Sequence, residues 1–146
     1  MRRSLPLVAP ILVLGCRSDR EAADATPHAA DPSPATCAWP DSLDAVRAAP
    51  ANHRMVLEND AVRVLDVTVR PGEREPLHAH CWPSAMYLMA AGRYRDYDAS
   101  GAVLADVKAA PDSIFPMTLW VEPEAPHAVE NLDARPVRLL RVELKK

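Results

Sequence analysis

From residue 54 to the end of the chain, short apolar runs alternate with turn residues. The alternation is clearest in the last run, where Leu140, Val142 and Leu144 are separated by Arg141 and Glu143. A period of two residues is that of a strand with one buried face. By the same criterion the sequence predicts strands over residues 54–58, 61–69, 84–90, 93–98, 103–108, 114–121, 128–131 and 137–144.

The residues between these runs exclude long helices. The chain has 15 prolines, and Asn–Asp, Pro–Gly, Ser–Gly and Pro–Asp pairs stand at the boundaries of the predicted strands. One short helix is expected over residues 42–49, where Asp41 or Ser42 offers an N-terminal cap and Pro50 ends the helix. Many short strands with little helix predict an all-β sandwich or barrel.

The N-terminal part of the chain has a different pattern. Two arginines near the start lead into an apolar stretch at residues 5–14, which is too short to span a bilayer as a helix. Residues 1–15 are therefore predicted to be a secretory signal. Residues 16–37 are rich in Ala, Asp, Pro and Ser without a hydrophobic period, so they are predicted to be a flexible linker in which His28 is solvated. Residues 38–146 remain as the folded domain, with its core at 53–146.

The predicted signal ends in Val13–Leu14–Gly15–Cys16, which resembles the lipobox of bacterial lipoproteins. The resemblance implies cleavage after Gly15, lipid on Cys16, and a domain held at a membrane surface of the cell envelope. Arg17, in the place of an aspartate, resembles the Gram-negative pattern that sorts lipoproteins to the outer membrane. The domain is then expected to face the periplasm. The alternative is an ordinary signal peptide in which Cys16 has no role.

Charge and motif content narrow the range of functions. The chain has 17 Lys and Arg against 20 Asp and Glu without a basic cluster, so nucleic acid is not an expected partner. The sequence contains no phosphate-binding glycine loop, dinucleotide fingerprint or Ser–His–Asp order. Export implies an oxidising compartment, in which Cys37 and Cys81 either form a disulfide or remain two unrelated thiols.

His78 and His80 are the main candidates for chemistry. On a strand this spacing points both side chains to one face, and two imidazoles can bind a metal ion when a third ligand joins them. His127, which precedes a predicted strand, is the candidate for that third ligand. A His–x–His pair alone is more commonly a polar surface pair than a metal site. His53 stands before the first predicted strand and is expected at the surface.

The residues around these histidines resemble the two motifs of the cupin superfamily. Residue type and spacing match the first motif at Gly72, His78, His80 and Gly92, and match the second at His127 and Asn131. Small stand-alone cupins with the string His–x–His–x–Trp–Pro are similar through Trp82, Pro83, Tyr87, Trp120, Pro126, Val129 and Glu130. The resemblance spans most of the folded part and implies a double-stranded β-helix.

One departure from the first motif bears on the site. Ala85 stands where the motif has a glutamate, which removes an anionic ligand. Glu75 is expected to be a charge at the rim of the site, with metal ligation as the alternative. The candidates for lining a substrate pocket are Tyr87, Trp82 and Trp120, although aromatic residues in a small barrel also serve as packing.

The resemblance implies a divalent transition metal bound by His78, His80 and His127, with Fe(II) expected before Zn(II), Ni(II) or Cu(II). Some cupin dioxygenases work with three histidines, so the leading hypothesis is a metal-dependent oxygenase that acts on a small molecule. The alternative is a non-catalytic module that binds a metal or small ligand at the cell envelope, and a third interpretation treats the histidines as relics. Because an unpaired sheet edge invites pairing, a homodimer is also considered.

Overall fold

The computed structural model describes residues 37–108 and 115–145, and these contain nine strands. The strands are β1 (His53–Glu58), β2 (Val62–Val69), β3 (His78–His80), β4 (Ser84–Ala90), β5 (Tyr94–Asp98), β6 (Val103–Val107), β7 (Met117–Val121), β8 (Glu124–Asn131) and β9 (Val137–Leu144). They form two sheets with the orders β1-β2-β9-β4-β7 and β3-β8-β5-β6, and neighbouring strands are antiparallel. The all-β prediction is confirmed.

Strict alternation builds the inner face of the larger sheet. Along β2 the buried side chains are Arg63, Leu65, Val67 and Val69, and the residues between them are half-exposed. A cluster at one end of this face consists of Val69, Leu88, Ala91 and Val137. The apolar part of the inner face thus gives way, further along the strands, to buried polar and charged side chains.

The predicted helix at residues 42–49 is split in two. A 3-10 turn covers Asp41–Leu43 and a short helix, α1, covers Ala45–Ala48. The cap is Asp44, whose carboxylate accepts a hydrogen bond of 3.1 Å from the Val46 amide. The cap prediction of Asp41 or Ser42 was therefore wrong by two or three residues.

Strand β8 is longer than predicted. It begins at Glu124 instead of residue 128, and so it includes Pro126 and His127. Proline lacks the amide that a central strand would need at that position. The pairing of β8 with β3 is irregular there, because His78 opposes His127 but His80 opposes Glu124. This irregularity decides which side chains of β8 face inward.

Two of the motif glycines have distinct structural reasons. Gly72 has a φ of 73°, a left-handed conformation that other residues rarely adopt. Gly92 lies so close to the Asp133 side chain that a Cβ atom would overlap it. Cys37 and Cys81 form a disulfide with a Cα–Cα distance of 5.0 Å, which joins the start of the described chain to the residue after β3. Among the described residues, no helix has the length and apolar character needed to cross a membrane.

Candidate metal centre

Four histidines meet on the inner faces of the two sheets. His78 and His80 come from β3, His127 comes from the paired strand β8, and His53 comes from β1 in the other sheet. The ring centroid of His78 lies 4.6 Å from that of His127, 4.4 Å from that of His53 and 5.1 Å from that of His80. Each of the four residues is at most 6% exposed. The expectation that His53 is a surface residue was wrong.

Three of the rings are fixed through the same nitrogen. His78 Nδ1 lies 2.9 Å from the Pro76 carbonyl, and His127 Nδ1 lies 2.9 Å from the Ala125 carbonyl. His80 Nδ1 lies 2.7 Å from Glu143 Oε1. Because carbonyl and carboxylate oxygens accept, each Nδ1 donates its proton, and the Nε2 atoms keep their lone pairs. Second-shell oxygens commonly orient metal-binding histidines in this way.

Two sets of ligand atoms converge to within 4.8 Å of one another. One set comes from His53, His78 and His80, and the other comes from His80, Glu124 and His127. The predicted ligands His78, His80 and His127 therefore lie in one cluster, but they are divided between these sets. His80 belongs to both sets.

The electrostatics of the cluster favour neutral imidazoles. Burial is the main cause that lowers the pKa of His53 to about 2 and that of His78 to about 3, and positive charge on the neighbouring histidines adds to it. Burial, followed by the charge of Arg141, lowers the pKa of His80 well below its ordinary value. Neutral imidazole is the form that binds a divalent ion, so His53, His78 and His80 are in the binding form at neutral pH.

Glu75 is buried beside the cluster. Its Oε1 atom accepts a 3.2 Å hydrogen bond from the Val129 amide and lies 3.8 Å from His78 Nε2. Burial raises its pKa to about 8, despite that hydrogen bond. The side chain is 3% exposed, so the prediction of a rim charge was wrong.

A network of buried charged side chains holds the Nδ1 atom of His80 in place. Glu143 is fully buried and also accepts a 2.5 Å hydrogen bond from Arg63 Nε. Arg141 donates to Glu124 at 2.5 Å and to Ser84 Oγ at 2.9 Å. The carboxylate of Glu143 thus faces a guanidinium on one side and the imidazole on the other.

The register of β4 explains the missing glutamate of the first motif. Ser84, Met86 and Leu88 point inward on this strand, whereas Ala85 is exposed and pairs with the exposed Trp120 of β7. A longer side chain at position 85 would therefore point away from the histidines. Ser84 occupies the inward position.

The cavity beside the histidines has a volume of about 140 Å³, well above the roughly 10–15 Å³ that one water molecule needs. Its walls combine the four histidines with apolar side chains, among them Val67, Leu88, Val129 and Leu139, and with the ring of Tyr94. The predicted pocket residues do not line it within the described part of the chain. Tyr87 and Trp120 are 44% and 56% exposed on the outer face, and the guanidinium of Arg63 lies over the Trp82 ring at 4.8 Å.

Sequence reasoning missed His53 and Tyr94, and it considered Glu75 as a ligand only as the alternative to a rim charge. His53 opposes Val67 across the β1–β2 pair, so it shares the inward face of β2. The only sequence signal for this was the position of His53 at the start of a strand. Glu75 lies outside the named strands, where its amide donates to the Val129 carbonyl at 3.0 Å and its side chain accepts from the Val129 amide.

Comparison with known proteins identifies the fold of this chain but not its function. No protein-family model matches the sequence, and no curated protein matches it significantly. A cupin domain from Bordetella pertussis is similar in structure, with 17% identity, a TM-score of 0.52, and coverage of 64% of this chain and 92% of that one. A protein with a double-stranded β-helix domain from Klebsiella pneumoniae has 19% identity, a TM-score of 0.46, and coverage of 64% and 70%. The strand order and the Bordetella structure together show that the chain has the double-stranded β-helix fold of cupin domains.

Proposed function

We propose that this protein binds one divalent transition-metal ion in the histidine cluster. The observation that carries the proposal is the arrangement of His78, His80 and His127, whose Nδ1 atoms are all engaged by oxygen acceptors. Their Nε2 lone pairs remain free to bind a metal ion. Burial lowers the pKa of His78 and of His80, and this keeps both imidazoles neutral. Imidazole donors suit Fe(II), Zn(II), Ni(II) and Cu(II), and of these ions we propose Fe(II) as the one bound.

We further propose that the ion serves a reaction of a small molecule held in the adjoining cavity, with oxygenation as the first reaction class to test. A bound ion of this kind polarises or activates a ligand beside it. The residues of the chain bind and orient that molecule: apolar side chains such as Val67 and Leu139 exclude water, and the partly buried Tyr94 lines the same cavity. The cavity volume of about 140 Å³ corresponds to roughly ten water-sized groups, which is room for a small molecule.

A non-catalytic metal-binding module is the second candidate. It is favoured by the number of potential ligands, since His53, Glu75 and Glu124 stand beside the three histidines already named. A site that fills its coordination sphere with protein ligands holds an ion tightly but leaves no position for a substrate.

The test begins with residues 37–146, exported to an oxidising compartment so that the Cys37–Cys81 disulfide forms, without the predicted signal and the rest of the linker. Metal content is measured by elemental mass spectrometry after purification and after reconstitution with Fe(II). The control is a variant with alanine at positions 78, 80 and 127. A metal ion bound in about one copy per chain by the first protein, and lost in the variant, is the expected result. Equal metal content in both proteins would refute the site.

The reaction is tested separately with the metal-loaded protein. Oxygen consumption is followed with panels of small thiols, diketones and carboxylic acids. Turnover that depends on the ion supports the oxygenase. Stoichiometric metal without turnover on any panel supports the non-catalytic module.

Location in the cell remains a proposal from the sequence. We propose a lipid anchor on Cys16 that holds the domain on the periplasmic side of the outer membrane in a Gram-negative bacterium. Cys16 lies outside the described residues. Globomycin-sensitive processing of the full chain, with loss of membrane association in Cys16→Ser, is the expected result. Processing that is unchanged in this variant would indicate an ordinary signal peptide.

A further inference from the structure

Two buried polar atoms beside the cluster face each other without hydrogen bonds. His53 Nδ1 and Glu75 Oε2 are 3.9 Å apart, and their side chains are 2% and 3% exposed. Neither atom has a hydrogen-bond partner among the described residues. The separation is too long for a hydrogen bond, which needs about 2.7–3.2 Å. An unsatisfied buried polar atom destabilises the folded chain, so an atom pair of this kind needs an explanation.

In its anionic form, Glu75 would also have no lysine or arginine of the described chain to compensate its charge. Within 4.0 Å, its only partners in ion-pair geometry among the described residues are His53 and His78. No lysine or arginine of the described chain lies within that distance. By contrast, Glu124 is paired with Arg141, and Glu143 is paired with Arg63. Among the described residues, Asp96 of the cavity wall also lacks a fixed cation, but of these two carboxylates only Glu75 lies within 4.0 Å of histidine nitrogens.

We infer that Glu75 and His53 are ligands of the metal centre, together with His78 and His80. Two metal–ligand bonds of about 2.0–2.2 Å span a separation of up to roughly 4 Å, so one ion can bridge the two unpartnered atoms. The converging set of His53, His78 and His80 supplies the nitrogens, and Glu75 supplies the anionic oxygen. The chain thus carries in the loop before β3 the carboxylate that is missing from the first motif on β4. This inference rests on the proposed metal function but changes its ligand set, because His53 and Glu75 take the place of His127, which belongs to the other converging set.

Glu75→Gln is the discriminating substitution, because glutamine keeps the size of the side chain and an oxygen that can accept from the Val129 amide. Its matched control is Glu73→Gln, two residues earlier, where the carboxylate accepts from the Arg70 amide and is 26% exposed. A third variant, Glu124→Gln, tests the other converging set. Dissociation constants for Co(II) are measured by competition with a coloured chelator.

We expect Glu75→Gln to raise the dissociation constant for Co(II) by at least about 10-fold, the lower bound seen when even an outer-shell partner is lost. Glu73→Gln is expected to leave it unchanged. Tight Co(II) binding that Glu75→Gln does not weaken would overturn this inference and leave the proposed function standing. A larger loss in Glu124→Gln than in Glu75→Gln would also overturn it. Absence of Co(II) binding to the unsubstituted protein would remove both the inference and the proposed function.

A second measurement detects ligation by each histidine separately, and the retained signals of the other histidines show that the variant is folded. In the Co(II)-loaded protein, each coordinated histidine gives a strongly shifted, exchangeable ring N–H proton signal. Loss of one such signal in His53→Gln, with the others retained, supports ligation by His53. An unchanged set of shifted signals in His53→Gln would refute it.

Discussion

Glu143 offers the sharpest test of how the site is supported. The substitution Glu143→Gln keeps the side-chain volume but removes the charge between Arg63, at 2.5 Å, and His80, at 2.7 Å. One carboxylate oxygen also becomes an amide that donates, so one of the two N–H groups facing it is left without an acceptor. Breaking a buried pair by changing one partner costs about 3–5 kcal/mol, a large part of the roughly 5–15 kcal/mol by which a domain is stable.

The assay is urea unfolding of metal-free protein, followed by tryptophan fluorescence. Glu58→Gln is the matched control, because Glu58 forms an ion pair with Lys145 at 2.5 Å but is 37% exposed, and such surface pairs contribute about 0–1 kcal/mol. We expect Glu143→Gln to lose about 3 kcal/mol or more and to weaken Co(II) binding about 10- to 100-fold through His80. A loss no larger than that of Glu58→Gln would refute the view that this network orients His80.

Three further predictions concern stability. Metal-free protein should lose stability as the pH falls below about 6.5, since His53 takes up a proton readily in the unfolded chain but has a pKa of about 2 when folded. The difference in unfolding free energy between wild type and His53→Gln should therefore change by about 1.4 kcal/mol per pH unit between about pH 6 and 4, and a constant difference would contradict this. Replacing Cys37 and Cys81 by serine should lower the unfolding free energy by about 2–4 kcal/mol, measured under non-reducing conditions, and equal stability would argue against the disulfide. Asn131→Ala should lower the unfolding free energy, measured by urea unfolding, by about 2–4 kcal/mol. The reason is that this fully buried amide donates to two main-chain carbonyls and accepts from a third main-chain group. A loss below about 1 kcal/mol would show that other groups replace these hydrogen bonds.

The strands were predictable where the two-residue alternation of buried and exposed positions was the only pattern in the segment. The limits of β4 and β9 agree with the predicted 84–90 and 137–144, because alternation along these strands separates a buried from an exposed face. The same alternation placed His78 and His80 together correctly. The motif comparison, however, counted residues in sequence, and only the register of β4 shows that Ala85 faces outward.

The other site residues depend on pairing that the sequence does not encode locally. In a regular ladder Ala125 would oppose His80, and alternation would put Glu124 and His127 on opposite faces of β8. The irregularity between β3 and β8 instead brings both of them toward the cavity, although they are three residues apart. His53 faces inward through its pairing with Val67. Neither effect has a signature in the spacing of residue types.

The disulfide between Cys37 and Cys81 bears on which metal the centre selects. Cys81 directly follows His80, and a free thiolate there would add a soft sulfur donor next to an imidazole site. Oxidised, the two sulfurs are occupied by each other, and the choice among ions falls to nitrogen and oxygen donors. Zinc or copper taken up during expression in a reducing cytosol could then be bound by the free thiols instead of the histidines. The metal found in protein exported to an oxidising compartment is the one that reflects the folded chain.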